Sequence, residues 1–250
     1  MLHPNMEKFL AIVGALLLAA CDGANTQSSD AAPFSPESLA RPAPEAAFDG
    51  ARGAEAPDIP ADAPLVVFLG DSIAAGLHLD PEDAFPAAVQ RLLAAEGRPF
   101  RLVNAGVSGD TSAGGLRRLD WLLEQEPAVL VLELGGNDGL RGQAPEEIEA
   151  RLREIAARAR AAGASVLLLG VRLPPSLGPD YVREFEALYA RLAAECDACA
   201  YVPFFMEGAA GVPGMMLDDG LHPTREGHER IAAKVAPALR ELLEARAPSR

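Results

Sequence analysis

The chain has 250 residues, 22 Lys and Arg against 36 Asp and Glu, and a formal charge of −14. Its 49% hydrophobic content supports a buried core and excludes a wholly disordered chain. The acidity excludes a surface built to grip phosphate backbones, so no nucleic-acid partner is expected. Three cysteines are too few for a disulfide scaffold, no Cys/His cluster has structural-zinc spacing, and no apolar run reaches the ~18 residues of a spanning helix.

The first apolar run, residues 9–20 (FLAIVGALLLAA), follows Lys8 and ends at Cys21. It is too short to cross a bilayer and fits the apolar region of an export signal. The boundary Leu18-Ala19-Ala20-Cys21 resembles a bacterial lipobox, in which the cysteine is lipidated and becomes the new N-terminus. Residues 1–20 therefore read as a signal peptide. Removing them takes Glu7 and Lys8 together and leaves the charge at −14. Residues 21–63 carry Pro33, Pro36, Pro42, Pro44, Pro57 and Pro60 among Ala, Ser, Asp and Glu, with no apolar period. They cannot bury enough surface to offset their ordering entropy and read as a flexible tether of about 35 Å. The expected location is the periplasm or envelope, on a lipid anchor.

From Pro64 the pattern turns regular, and a domain over 64–246 is expected. Residues 65–69 are a buried-strand run. A helix over 85–96 places Phe85, Val89, Leu92 and Leu93 on one face. Residues 101–104 form a second strand, and 116–124 a helix with Trp121 and Leu122 inward. A third strand covers 128–134. Ile148, Leu152, Ile155 and Ala159 mark a helix at 3.6 spacing, opened by Pro145, Glu146 and Glu147. A fourth strand at 166–169, a helix over 181–195, a short strand starting at Tyr201 and a last helix striped by Ile231, Val235, Leu239 and Leu242 complete the pattern. Strands alternating with helices imply an α/β fold with a parallel sheet covered on both faces, and ligands beyond its carboxyl edge.

Four small, polar, Gly-rich breaks sit where that edge should be: Gly70-Asp71-Ser72, residues 104–110, Gly135-Gly136-Asn137-Asp138, and Asp219-Gly220-Leu221-His222-Pro223. Each alone is ordinary turn chemistry. Together they hold the parts of acyl transfer. Ser72 offers a hydroxyl at a strand-to-helix turn, and His222 a base. Asp219, three residues earlier, can orient that base. Gly109 offers an unobstructed N–H, Asn137 a side-chain amide, and Ser72 its own N–H.

These residues resemble the SGNH (GDSL) hydrolase superfamily, and within it the bacterial group with thioesterase, arylesterase and lysophospholipase activities. The matching blocks run in family order from about residue 66 to 242: residues 68–72, 108–112, 133–142, 172–174, 202–207 and 218–223. The resemblance implies a three-layer α/β/α flavodoxin-like fold with five parallel strands in the order 2-1-3-4-5. It implies Ser72 as nucleophile, His222 as base, Asp219 as orienter, and Ser72, Gly109 and Asn137 as the oxyanion hole. It places a loop over the acyl site at 140–145 and sets Leu140 and Leu173 beside the acyl chain. The expected substrates are short- to medium-chain acyl esters or lysophospholipids, hydrolysed by a monomer without cofactor. Polysaccharide O-acetyl groups are the alternative substrate.

Two further readings stand beside this one. Asp71, Asp110, Asp138 and Asp219 could ring a Mg²⁺, although no P-loop or phosphate clamp accompanies them, and no metal is expected. A non-catalytic binding lipoprotein would not need the intact Ser72, Asp219 and His222 set. His228 falls on the apolar face of the last helix as a satisfied, partly buried histidine. His78 lies in a loop near the site, as a plain loop residue or a substrate contact. Cys196 and Cys199 have redox-motif spacing but end a helix rather than start one, which leaves a local structural disulfide or a reduced pair.

Overall fold

The computed structural model describes residues 57–196 and 199–246. The expected signal peptide, Cys21 and most of the expected tether lie outside them. The tether's last residues are already packed: Ala63 N–H donates to the Pro60 carbonyl, and the Ala63 carbonyl accepts from Arg101 Nε at 2.9 Å.

Five parallel strands form one sheet, β1 (Leu65–Gly70), β2 (Arg101–Gly106), β3 (Val129–Glu133), β4 (Ser165–Leu169) and β5 (Cys199–Val202), in the order β2-β1-β3-β4-β5. β1 and β3 are buried along their whole length, as strands flanked by neighbours and covered on both faces must be. On one face lie α3 (Ser112–Leu123), α5 (Pro145–Ala161) and α6 (Pro179–Glu195); on the other lie α2 (Phe85–Ala95) and α7 (Arg225–Arg246). Two short helices, α1 (Ser72–Ala75) and α4 (Gly136–Leu140), follow β1 and β3 directly. Among the described residues no helix is long and apolar enough to cross a membrane.

Most expected elements are present, with shifted edges. Ile148, Leu152, Ile155 and Ala159 are all fully buried. Leu92 is not on the buried face of α2: it is 40% exposed, and Ala88 packs inward beside Phe85, Val89 and Leu93. Tyr201 does not start β5 but lies near its end. On α7 the deeper residue is Leu243, with Leu242 partly buried. Cys196 and Cys199 are joined as a disulfide at the entry to β5.

Where β2 ends, Gly106 leaves room for the backbone of α1. A Cβ there would stand 2.3 Å from the Ala75 nitrogen, so the strand can pass this close only without a side chain.

Ala84, at the cap of α2, has no polar side chain to accept from the helix, and the first free N–H of α2 goes instead to α7. Phe85 N–H donates to His228 Nδ1 at 3.0 Å, and the two rings stack. His228 is 1% exposed, and burial, with a smaller contribution from His222, lowers its pKa from 6.5 to about 4. The sign follows from the proton count. Below about pH 6.5 the unfolded chain takes up a proton that the folded chain refuses until about pH 4. The stability this site contributes is full above that window and is lost as pH falls through it. His228→Gln retains an acceptor and does not titrate, so titrations elsewhere cancel in the comparison. Between about pH 7 and pH 4.5 the wild type is expected to lose about 2–3 kcal/mol of unfolding free energy relative to His228→Gln. Urea denaturation at the two pH values measures it; parallel curves would refute the assignment.

Candidate active site

The carboxyl edge of the sheet gathers the four polar breaks. β1 runs straight into Asp71 and Ser72. Asp71 caps α1, its Oδ1 accepting from Ile73 N–H at 3.0 Å, so that Ser72 is the first residue of the helix. On the other side of the edge, the turn before α7 is closed by Leu217 N–H donating to the His222 carbonyl and by a bridge between Met216 and Pro223. This presents His222 toward Ser72 from 150 residues away. Nε2 of His222 lies 3.0 Å from Ser72 Oγ. Nδ1 lies 2.6 Å from Asp219 Oδ2, while Oδ1 accepts the backbone N–H groups of Leu221 and His222.

The chemistry fixes the roles in this relay. Asp219 is a carboxylate, held well below the usual carboxylate range first by the His222 side chain and then by the two backbone donors. An anion at Nδ1 demands the proton there. Nε2 is then left with a lone pair facing the hydroxyl, the arrangement needed to activate an alcohol.

Two donors approach from the neighbouring strands. Asn137 sits in the first turn of α4, and its Nδ2 donates to Asp71 Oδ2 at 3.0 Å, which ties the amide to the residue beside Ser72. Gly109 follows β2 in a left-handed conformation, φ +77, and is exposed. Its carbonyl accepts from Arg141 Nη2 at 3.1 Å, joining the Gly109 turn to the end of α4. Arg118 fastens the same turn from below. It donates to Asp110 Oδ2 and to the carbonyls of Gly70 and Ala105, a nearly buried ion pair linking the ends of β1 and β2. α4 is held through Asp138, which is fully buried and accepts from the N–H and hydroxyl of Ser112.

The two leucines differ in setting. Leu140 is 43% exposed at the end of α4. Leu173 is buried beneath that helix, where a Cβ on Gly139 would meet its methyl carbons at 2.7 and 2.8 Å. Leu173 therefore packs against α4 from below, while Leu140 is open to solvent. His78 is exposed and stands edge-on to His222, ring centroids 5.9 Å apart. The four acids considered for Mg²⁺ go to separate partners: Asp71 to Asn137, Asp110 to Arg118, Asp138 to Ser112 and Asp219 to His222.

Glu133 is the residue whose importance the sequence pattern hid. It ends an apolar strand and is 1% exposed, and its carboxyl accepts the N–H groups of Asp71, at 3.1 Å, and Ala74. It therefore holds the turn on both sides of Ser72. Burial, then the neighbouring Asp71, pushes its pKa well above the usual range, and burial raises that of Asp71 to about 6. A single acid within an apolar strand run was the available signal, since such a group is buried only where donors await it.

The model of the GDSL-like Lipase/Acylhydrolase family matches residues 68–230. Esterase TesA of Pseudomonas aeruginosa is 50% identical over 184 residues, covering 73% of this chain and 91% of that protein. Thioesterase 1/protease 1/lysophospholipase L1 of Escherichia coli K12 is 42% identical over 184 residues, covering 73% and 86%. The crystal structure of the psychrotrophic esterase EstA from Pseudoalteromonas sp., inhibited by monoethylphosphonate, is 34% identical with a TM-score of 0.67, covering 72% of this chain and 98% of that one.

Proposed function

The chain belongs to the GDSL-like lipase/acylhydrolase family, and from that premise we propose that Ser72, His222 and Asp219 carry out two-step ester hydrolysis through an acyl-serine. The chain is a carboxylic ester hydrolase. The single observation that carries the residue assignment is the unbroken relay of 3.0 and 2.6 Å at the carboxyl edge of the sheet.

In the first step His222 Nε2 takes the Ser72 proton as Oγ attacks the acyl carbon. The carbonyl oxygen becomes an oxyanion, held by the N–H groups of Ser72 and Gly109 and by the Asn137 amide. Donors fixed in place before the reaction do this most effectively, each lowering the barrier by ~3–4 kcal/mol, and the bonds from Asn137 to Asp71 and from Arg141 to the Gly109 carbonyl support that fixity. His222 then gives its proton to the leaving oxygen or sulfur. In the second step it deprotonates water, which releases the acid from Ser72.

We assign the substrates as short- to medium-chain acyl esters, including lysophospholipids, with the exposed Leu140 against the acyl chain. The apolar run at 9–20 and the Cys21 that ends it support export to the envelope and lipidation there; that location favours envelope esters over cytosolic acyl-thioesters. An ester panel tests the substrate class. Rates on p-nitrophenyl esters of two to twelve carbons and on lysophosphatidylcholine are compared with acetate release from acetylated xylan. The expected result is a kcat/KM maximum at an acyl chain of about four to ten carbons, since each CH₂ buried against an apolar wall adds about 0.8 kcal/mol until the wall ends. Turnover confined to the acetylated glycan would overturn it.

A further inference from the structure

We propose that His78, Asp219 and His222 form a Zn²⁺ site whose occupation switches off the relay. One donor atom from each lies within 4.8 Å of the other two. Two imidazoles and a carboxylate are a donor set that zinc takes readily, with water in the fourth position. Bond lengths of ~2.0–2.2 Å require the donors to close by about 1.5 Å. His78 is exposed, and rotation of its side chain provides this while Asp219 keeps its bonds to the Leu221 and His222 N–H groups. The excess of 14 negative charges on the chain favours cations at its surface.

The consequence for hydrolysis does not depend on which ring nitrogen of His222 binds. Zinc on Nε2 takes the lone pair that must accept the Ser72 proton. Zinc on Nδ1 displaces the proton given to Asp219 and breaks the orienting bond. Among the described residues His78 stands beside the His222 ring, while the Ser72 hydroxyl bonds His222, so His78 reaches the metal without holding the nucleophile. The other described histidine cannot compete. His228 is 1% exposed, and its Nδ1 is taken by the Phe85 N–H.

The inhibition rests on the triad reading given above, whereas the binding does not, and the experiment separates them. The variant is His78→Gly, because the backbone at 78 has φ +72, a conformation glycine adopts without strain. The untagged full-length protein is titrated with ZnCl₂ by calorimetry in a non-coordinating buffer without reductant. The same titration is repeated on hydrolysis of p-nitrophenyl butyrate. The expected result is one zinc per wild-type chain, reversible inhibition relieved by EDTA, and zinc affinity and inhibition both weakened about tenfold or more in His78→Gly. The rate of each protein in EDTA sets the zero of its own inhibition curve. Equal binding by the two proteins, no binding, or zinc bound without inhibition of an active chain would each overturn the proposal. A chain with no esterase activity in EDTA overturns the triad reading instead, and the zinc site then stands or falls on the calorimetric comparison.

Discussion

Ser72→Ala is expected to reduce kcat on p-nitrophenyl esters by roughly five to six orders of magnitude, the loss seen when the nucleophile of a serine relay is removed. The change deletes one oxygen and nothing else. Ser72 is the first residue of α1, its hydroxyl bonds only His222 among the described residues, and alanine is a good residue in a helix. The cap from Asp71 to Ile73 and the Glu133 bonds to Asp71 and Ala74 involve backbone donors that the substitution keeps. Circular dichroism and the urea midpoint will therefore match the wild type. What disappears is the atom that carries the acyl group, so neither hydrolysis nor labelling by a fluorophosphonate survives. A purified variant retaining a tenth of the wild-type rate would dismiss Ser72 as the nucleophile.

Asp219→Asn is expected to lower kcat by about 10³–10⁴-fold, through the tautomer of His222 rather than through any loss of shape. Asparagine keeps an oxygen that can accept the Leu221 and His222 backbone N–H groups, so the turn closes as before. The amide nitrogen then faces Nδ1 and donates to it, which moves the ring proton to Nε2. That nitrogen would point a proton at Ser72, where a lone pair is required. The carboxylate's charge, which stabilises the imidazolium formed during attack, is lost as well. Asp219 has a side chain 39% exposed, and water can return part of what asparagine withholds, which places the effect below that of Ser72→Ala. Steady-state kinetics with KM near the wild-type value would show a defect confined to the chemical step. A loss of less than tenfold would mean that Asp219 does not orient the base.

Much of this fold is legible in the chain because a parallel sheet buried on both faces leaves unmistakable apolar runs, such as Val66 to Leu69 and Val129 to Leu132. The Gly-rich polar breaks after those runs mark the ligand edge in the sequence itself. The pieces that escaped are those fixed by tertiary contact. α4 has the sequence Gly-Asn-Asp-Gly-Leu, among the poorest of helix formers. It is helical because Asp138 is locked onto Ser112 and Leu173 fills the space against Gly139. Leu92 satisfies the helical period of α2 yet faces outward, because the groove against α7 is already filled by Phe85, Val89 and Leu93. The place of Glu133 was hidden by the apolar run around it, whereas His78 read as a loop residue near the site, and only the fold shows its ring edge-on to His222.

The span from Ser72 to His222 has a consequence for the timing of activity. Polypeptide leaving a ribosome or threading a translocase presents its alcohol early and receives its imidazole 150 residues later. Between them in the chain lie β2, β3, β4 and β5, which make up the rest of the sheet. No truncated or half-delivered chain carries a working relay. Catalytic competence and completion of folding are one event, and a cell synthesising this ester hydrolase is shielded from it until the polypeptide is whole.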